Sequence, residues 1–349
     1  MMKLDVNRRP LKSYARCQAQ GAVVCLKLIG AAAVILLMVA PAIAQRRAPL
    51  AYVSNERDGT ISVINTATDR VIKTITVGGR LRGIHLSGRR LFVAMASPMN
   101  QRLAGADKII EIDPASGRIV ARHNSGSDPE QFAVSRDGAR LFVSNEDANT
   151  ASITNLRTGR VIATLVVGLE PEGVRLSPDG RWVYVTAESS SNVSVIDTRT
   201  NRIKTTFTVG ARPRDVAFTP DGRTAFVTAE NGGTVAMVDV RSHTVRQTIP
   251  LPSREVRPMS VVVSRDGRRV YVSNGRGNSV AVIDVRSHQV IAMIPVQGRP
   301  WGIALTADGR KLYTANGLTN DVAVIDTRTN RVVKTIPVGQ GPWGIALSN

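Results

Sequence analysis

The chain has 349 residues, which is enough for two or three average domains or for one large closed β architecture. Hydrophobic residues make up 43% and charged residues 21%, and the mean hydropathy is −0.03. These values exclude a polytopic membrane protein and a disordered chain. The net charge of +19 is at first sight typical of a nucleic-acid-binding protein, but six of the 46 basic residues belong to an N-terminal leader.

That leader has the pattern of a secretory signal peptide. Its apolar run, Leu28 to Ala40, has 13 residues, whereas a membrane-spanning helix needs about 20. The run ends in Pro41-Ala42-Ile43-Ala44, an A-x-A cleavage site. We therefore predict a signal peptide at 1–44, a short N-terminal segment at 45–49, and a periplasmic or secreted protein that does not span a membrane after cleavage. Arg8-Arg9 leaves the twin-arginine export route open beside the general one.

Removal of the leader changes which partners and cofactors are plausible. It removes both cysteines, Cys17 and Cys25, and leaves 40 Lys and Arg against 26 Asp and Glu, a net charge of +14. The mature chain then has no disulfide, no thiolate metal site and no C-x-x-C-H haem attachment. Export also argues against nucleic acid as a partner. We predict no cofactor and no bound metal.

An internal repeat dominates the rest of the chain. Short phrases such as Tyr52-Val53-Ser54-Asn55 and Phe226-Val227-Thr228-Ala229 recur at intervals of 40 to 50 residues. Seven aromatic residues occupy the same repeat position, namely Tyr52, Phe92, Phe142, Tyr184, Phe226, Tyr271 and Tyr313. Each unit contains four runs of five to seven alternating residues separated by Asp-Gly, Asn-Gly and Gly-Gly turns. The pattern predicts an all-β fold, a seven-bladed β-propeller of four-stranded antiparallel blades covering residues 50–349.

The two ends of the repeat region indicate how the ring closes. The region begins with the second strand of a unit, Ala51–Ser54, and ends after the first strand of another, Trp343–Ser348. Closure removes the unpaired strand edges that an open stack would expose. We therefore predict that Trp343–Ser348 pairs beside Ala51–Ser54, with the C-terminal strand innermost.

The repeat units resemble the YVTN family of β-propeller repeats. The resemblance is carried by the aromatic phrases, by Val193-Ser194-Val195-Ile196-Asp197, and by the junction at 338–344. Ser127-Asp128-Pro129-Glu130 and Glu170-Pro171-Glu172-Gly173 are similar, more narrowly, to propellers encoded with pyrroloquinoline quinone (PQQ)-dependent alcohol catabolism and an associated transporter. This resemblance implies a non-catalytic binding or scaffold accessory protein of the periplasm. Its partner would be a small anionic ligand or a periplasmic protein such as a quinoprotein or a transporter component.

Variable residues at the blade junctions predict a binding site at the mouth of the central channel. Loops on a rigid scaffold are where binding residues concentrate. The candidates combine arginines, acids and indoles, and they are Arg82, Glu130, Glu172, Arg212, Arg214, Arg257, Arg299, Trp301 and Trp343. Arginines bind carboxylates in a bidentate manner and indoles stack, so this set predicts an anionic ligand with a flat apolar part. The alternative is that Arg and Glu of neighbouring blades only pair with each other across an exposed mouth.

A second set of polar residues is expected deeper in the channel. His85 and Arg175 stand where five of the seven copies have Ala or Val, and Asp215 stands where four copies have Gly. Buried polar groups need partners. These three residues either contact a ligand or satisfy one another, as Asp215 could with Arg175.

The sequence contains no motif that assigns catalysis. It has no G-x-S-x-G elbow, H-E-x-x-H pair or phosphate-binding glycine loop, so no catalytic residue is assigned. One alternative is a metal-dependent, lactonase-like propeller hydrolase, for which Asp128, Glu130, Glu170 and Glu172 would supply the metal ligands. Another is an electron-carrier subunit linked to haem or quinone.

Overall fold

Seven four-stranded antiparallel sheets contain every strand of residues 49–98 and 105–348, the parts of the chain that the computed structural model describes. The predicted signal peptide and most of the predicted short segment after it lie outside these residues. So do residues 99–104 of the long loop in the second repeat. No helix among the described residues is both long and apolar enough to cross a bilayer.

In blades 2 to 7 the strands follow one another in chain order from the channel outwards, whereas in blade 1 the C-terminal strand is innermost. Blade 1 consists of β28 (Pro342–Leu347), β1 (Leu50–Asn55), β2 (Thr60–Asn65) and β3 (Arg70–Thr76). Blade 2 consists of β4 (Arg80–Ser87), β5 (Arg90–Ala96), β6 (Lys108–Ile112) and β7 (Ile119–Asn124), and blade 3 of β8 (Pro129–Val134), β9 (Arg140–Asn145), β10 (Thr150–Asn155) and β11 (Val161–Val166). Blade 4 consists of β12 (Pro171–Leu176), β13 (Trp182–Ala187), β14 (Asn192–Asp197) and β15 (Arg202–Thr208), and blade 5 of β16 (Pro213–Phe218), β17 (Thr224–Ala229), β18 (Thr234–Asp239) and β19 (Thr244–Pro250). Blade 6 consists of β20 (Pro258–Val263), β21 (Arg269–Asn274), β22 (Ser279–Asp284) and β23 (Gln289–Pro295), and blade 7 of β24 (Pro300–Leu305), β25 (Lys311–Asn316), β26 (Asp321–Asp326) and β27 (Arg331–Pro337). A short 3₁₀ helix, Arg254–Val256, lies between blades 5 and 6.

The ring closes between the two ends of the described chain, as predicted. β28 pairs antiparallel with β1, with Tyr52 opposite Ala346 and Val53 opposite Ile345. The innermost strands contact one another in the order β28, β4, β8, β12, β16, β20, β24 and back to β28. The fold is therefore a seven-bladed β-propeller in which the C-terminal strand fills the innermost place of blade 1. This closure leaves none of the innermost strands at an open end of the array.

The core lies between the blades, and the repeated aromatic residue is its largest component. Phe226 is fully buried against Val261, Val270 and Val272 of the next blade. All seven aromatic anchors are at most 3% exposed. Because a sheet presents alternate residues to opposite faces, one large ring per blade fills the wedge between two twisted sheets. This packing explains why the position is always aromatic.

The hydroxyl in the repeated phrase also has a structural role, because it joins each blade to the next. Thr228 Oγ1 accepts the N–H of Asp215 at 3.1 Å within blade 5, and it donates to the carbonyl of Met259 in blade 6 at 2.6 Å. The same donation to the following blade is made by Ser54, Ser144, Thr186 and Ser273. A hydroxyl is suited to this place since it can donate and accept at once.

Candidate functional site

Seven side chains at the same register of the innermost strands surround the channel mouth. Each strand pair has a register shift here; in blade 5, for example, Pro213 faces Ala229 but Val216 faces Val227, so Arg214 and Asp215 form a bulge. A bulge redirects side chains locally. The set, called the belt below, consists of Trp343, Arg82, Glu130, Glu172, Arg214, Met259 and Trp301 in ring order. Six of these seven are predicted site residues; Met259 is the exception.

The charged members of the belt pair with each other. Arg82 Nη1 lies 3.0 Å from Glu130 Oε2, and Arg214 Nη2 lies 2.9 Å from Glu172 Oε1. Three of these side chains are at most 7% exposed and the fourth, Arg82, is 14% exposed. The sequence left open that Arg and Glu of neighbouring blades pair across a solvent-exposed mouth. The pairing is present but buried, so solvent screens it much less than it would a surface pair.

The two indoles of the belt stack, and each is also covered by a guanidinium group. The ring centroids of Trp301 and Trp343 are 6.1 Å apart, with 22° between the planes. Arg82 lies over Trp343 at 5.6 Å and Arg214 over Trp301 at 5.4 Å. Such contacts are favourable because the ring face carries partial negative charge. The belt is thereby a nearly continuous set of contacts around the mouth.

Glu130 and Glu172 are consecutive in the belt, and the charge of Glu172 disfavours ionisation of Glu130. Burial, together with the neighbouring carboxylates, raises the pKa of Glu130 well above its usual value, although Arg82 opposes the change. Burial likewise raises the pKa of Glu172, against the opposing charge of Arg214. Two adjacent buried carboxyls favour retention of a proton. Oε1 of Glu130 has no hydrogen-bond partner among the described residues.

Four acids that the sequence analysis did not single out complete the mouth. They directly follow the second strand of their blades and are Glu56, Glu146, Glu188 and Glu230. Glu188 and Glu230 lie 2.7 Å and 3.1 Å from Arg212 Nε, and both also contact Arg214. Glu56 lies 3.1 Å from Arg82. The sequence signal for them is simple, since each comes directly after the repeated aromatic phrase.

These acids reach the junction arginines because of a recurring backbone contact. The N–H of Glu230 donates to the carbonyl of Arg212 at 2.8 Å, and the N–H of Glu188 donates in the same way to Glu170 at 2.9 Å. Arg212 and Glu170 have φ angles of 59° and 53°, a left-handed conformation that costs about 1–2 kcal/mol for a residue with a Cβ. The same conformation occurs at Asp128, Arg257 and Arg299. The junction carbonyl is thus held against the following loop in each of these blades.

The two remaining junction arginines have different surroundings. Arg257 Nη1 donates to the side-chain oxygen of Asn231. The Arg299 guanidinium lies 4.6 Å from the ring centre of Trp301. Neither has a carboxylate within 4.0 Å among the described residues, and the Nε atom of each is buried without a hydrogen-bond partner. Arg257 and Arg299 are therefore positive charges without a matched acid.

Two of the three deeper polar residues, Arg175 and Asp215, are paired with each other. Arg175 Nη2 lies 2.9 Å and 3.2 Å from the two carboxylate oxygens of Asp215, and Arg175 Nε donates to the carbonyl of Val216 at 3.0 Å. Asp215 also accepts from the Ser260 hydroxyl at 2.7 Å. Arg175 and Asp215 are therefore partners, as buried polar groups usually are. His85 packs edge-on against Phe132, and its pKa is lowered to about 4 by desolvation and by the charge of Arg175.

The cavities at the mouth differ in size. The cavity among the belt and the residues just below it has a volume of about 30 Å³, which is room for one or two water molecules. A larger cavity of about 240 Å³ lies at blades 2 and 3; it is lined by Arg80, Arg82, Ser97, Pro98, Asp107, Asp128, Glu146 and Asp147. The space lined by Trp301 and Trp343 therefore holds water but not a small molecule.

The acidic residues proposed as metal ligands are only partly together. Carboxylate oxygens of Asp128, Glu130 and Glu146 lie within 4.8 Å of one another. Glu170 is not in this group; its carboxylate accepts from Ser189. Asp128 is also paired with Arg80 and Glu130 with Arg82. Arginines therefore compete with any cation for two of the three carboxylates.

Comparison with known proteins identifies the family. Residues 15–348 match the model of the YNCE-like beta-propeller family, and the chain belongs to that family. No curated protein matches the chain.

Solved structures with similar folds are distant in sequence. A functionally unknown protein from Desulfotomaculum acetoxidans is 18% identical, with a TM-score of 0.73 over 86% of this chain and 99% of the other. A protein from Lactobacillus plantarum is 16% identical, with a TM-score of 0.74 and the same two coverages. Kuenenia stuttgartiensis hydrazine synthase is 22% identical, with a TM-score of 0.67 over 77% of this chain and 91% of that one. At these identities the likeness concerns the fold alone.

Proposed function

We propose that this protein is a non-catalytic binding or scaffold propeller that recognises its partner at the channel mouth. We further propose that it is exported and acts as an accessory protein in periplasmic PQQ-dependent alcohol catabolism or in transport associated with it. The context rests on the resemblance of its repeat phrases to propellers of that kind and on the predicted signal peptide. The partner would be a small anionic ligand or a periplasmic protein.

One observation carries the binding role. The belt charges are paired within a buried set of contacts, and the cavity that the belt lines has a volume of only about 30 Å³. A reaction chamber needs room for a substrate of several hundred Å³ and groups free to act on it. A pre-formed surface with fixed charges suits recognition instead, because little ordering is needed when a partner binds.

Co-purification from the native periplasm tests this proposal. Tagged protein would be isolated from periplasmic extract and its companions identified by mass spectrometry. We expect a quinoprotein or a transporter component to be enriched with the wild type and lost with Arg257→Glu/Arg299→Glu at the mouth. The matched control is Arg223→Glu/Arg310→Glu, which reverses two arginines that are 88% and 78% exposed in Asp-Gly turns. Equal enrichment with the mouth variant and the wild type would contradict a mouth-binding role.

A metal-dependent hydrolase is the second candidate, and the carboxylate group at blade 3 is the observation that favours it. The oxygens of Asp128, Glu130 and Glu146 are close enough together for one cation, and hard divalent cations such as Ca²⁺ prefer carboxylate ligands. Elemental analysis of the purified chain tests it. Stoichiometric Ca²⁺ or Zn²⁺ that is lost in Glu146→Gln, together with metal-dependent lactone hydrolysis, would support this candidate over the non-catalytic one. A metal-free protein that hydrolyses no lactone would exclude it.

A further inference from the structure

One sequence position in each blade decides which arginines of the mouth have a carboxylate partner and which do not. The residue directly after the second strand is Glu56, Glu146, Glu188 or Glu230 in blades 1, 3, 4 and 5. In blades 6 and 7 the same position is Gly275 or Gly317, and in blade 2 the position four residues after the aromatic anchor is Ala96, the last residue of β5. The backbone contact at this position is unchanged, since the N–H groups of both glycines donate to the carbonyls of Arg257 and Arg299, at 2.8 Å and 3.2 Å.

Where other blades have a glutamate that neutralises a junction arginine, blades 6 and 7 have a glycine and therefore no carboxylate. In blade 5, Arg212 lies between Glu230 of its own blade and Glu188 of the preceding blade. By the same geometry, Arg299 in blade 7 lies between Gly317 and Gly275 and has no acid on either side. Arg257 in blade 6 lies between Gly275 and Glu230, and Glu230 already contacts Arg212 and Arg214.

A third cation stands beside these two. Arg276 is exposed, and it is flanked by Gly275 and Gly277, whose N–H groups donate to the carbonyls of Arg257 and Val256. Burial, and the charges of Arg214, Arg276 and Arg212, lower the pKa of Arg299 against the opposing effect of Glu230. The charges of Arg276 and Arg299 are therefore near enough to repel each other. An anion placed among them would relieve that repulsion.

We infer that Arg257, Arg276 and Arg299 form a binding site for a small multivalent oxyanion, a polycarboxylate or a phosphate ester, on the mouth at blades 6 and 7. Arginine forks suit both oxyanions because each guanidinium can donate two parallel hydrogen bonds. The Nε atoms of Arg257 and Arg299 are buried without hydrogen-bond partners, and neither guanidinium has a carboxylate within 4.0 Å among the described residues. Trp301, which lies under the Arg299 guanidinium at 4.6 Å, holds that group in place. This inference rests on the proposed mouth-binding function and moves the anion contact away from Arg82 and Arg214, which are already neutralised.

Titration calorimetry of the purified full chain with citrate and with pyrophosphate at low ionic strength tests the inference. We expect at least one probe to bind, more weakly as NaCl is added, while acetate does not. Arg299→Gln should weaken binding about tenfold or more, because a charge-assisted contact is lost. Citrate binding alone would identify a carboxylate ligand, and pyrophosphate binding alone a phosphate ligand.

Gly275→Glu is the sharper variant because it leaves every arginine in place. It would put a carboxylate in blade 6 at the position equivalent to Glu230, which neutralises Arg212 in blade 5. A Cβ at 275 would meet Met259 Cγ at 3.0 Å, a flexible side chain that can shift. We expect this variant to melt like the wild type and to lose binding of the probe about tenfold or more, whereas Arg223→Gln/Arg310→Gln should leave binding unchanged.

Two results would overturn the site. One is an absence of binding of either probe to the wild type, and the other is binding that Arg299→Gln and Gly275→Glu leave unaltered. Neither result depends on the co-purification test of the proposed function, because a protein partner could still be lost on charge reversal at the mouth. Conversely, if the probes bind as expected and no partner co-purifies, the oxyanion site stands and the scaffold role fails.

Discussion

Trp301 and Trp343 stack across two neighbouring blades, with their ring centroids 6.1 Å apart. They come from the innermost strands β24 and β28, which are separated in the chain by the three outer strands of blade 7. Ring closure brings them together, since β28 takes its place in blade 1. The pair therefore reports directly on whether the mouth is assembled.

Circular dichroism tests this stacking. Two indoles in close contact couple their electronic transitions, so we expect a far-ultraviolet exciton couplet in the wild type. Trp301→Phe and Trp343→Phe should each abolish it. Trp182→Phe is the control, because Trp182 packs against His243 away from the belt. A couplet that survives either mouth substitution would show that the indoles are not in contact.

The hydroxyl that joins neighbouring blades gives a prediction about stability. Thr228→Val keeps the shape of the side chain but leaves the Asp215 N–H and the Met259 carbonyl without their partner. Leaving buried groups unpaired costs about 1–3 kcal/mol. We expect a loss of that size in the free energy of unfolding by urea, compared with Thr208→Val at an exposed position of β15. Equal stability of the two variants would contradict a structural role for the hydroxyl.

The imidazole of His85 gives a prediction about pH. Desolvation and Arg175 lower its pKa from 6.5 to about 4. Between these two values the unfolded chain binds the proton more readily than the folded one, so His85 makes the protein lose stability as the pH falls from about 6.5 to 4. We expect Arg175→Met to raise the pKa of His85, measured by NMR titration of the ring protons, because one of its two causes is removed. A pKa that stays at about 4 would assign the whole shift to desolvation.

Ring closure predicts the effect of shortening the chain. Removal of residues 343–349 deletes most of β28, including Trp343 and Ala346, which are 5% and 7% exposed. The inner edge of β1 would then be unpaired and open to aggregation. We expect an insoluble protein or one whose melting temperature falls by several degrees, as is usual for a loss of several kcal/mol. Removal of Asn349 alone is the control. A soluble 343–349 deletion with an unchanged melting temperature would refute closure by this strand.

The sequence by itself determined the architecture of this protein. A repeat of 40 to 50 residues with one aromatic position, two-residue alternation and Gly-containing turns permits few folds, because each feature acts over a few neighbouring residues. Even the closing pair of strands followed from where the repeat begins and ends. The candidate residues of the mouth were equally visible, since variation at a fixed repeat position shows on inspection.

Only the tertiary structure decided how those residues are paired. Whether Arg214 is available or neutralised depends on Glu172, Glu188 and Glu230, two of them on the preceding blade and one on its own. Likewise, Arg299 lacks an acid because two glycines from consecutive blades flank it. Electrostatic energy depends on distance and burial, and the ring sets both by bringing together residues that are tens of positions apart in the chain. Six of the seven belt residues could be predicted from the sequence, but the four acids beside them and the charge balance of the mouth emerged only from the closed ring.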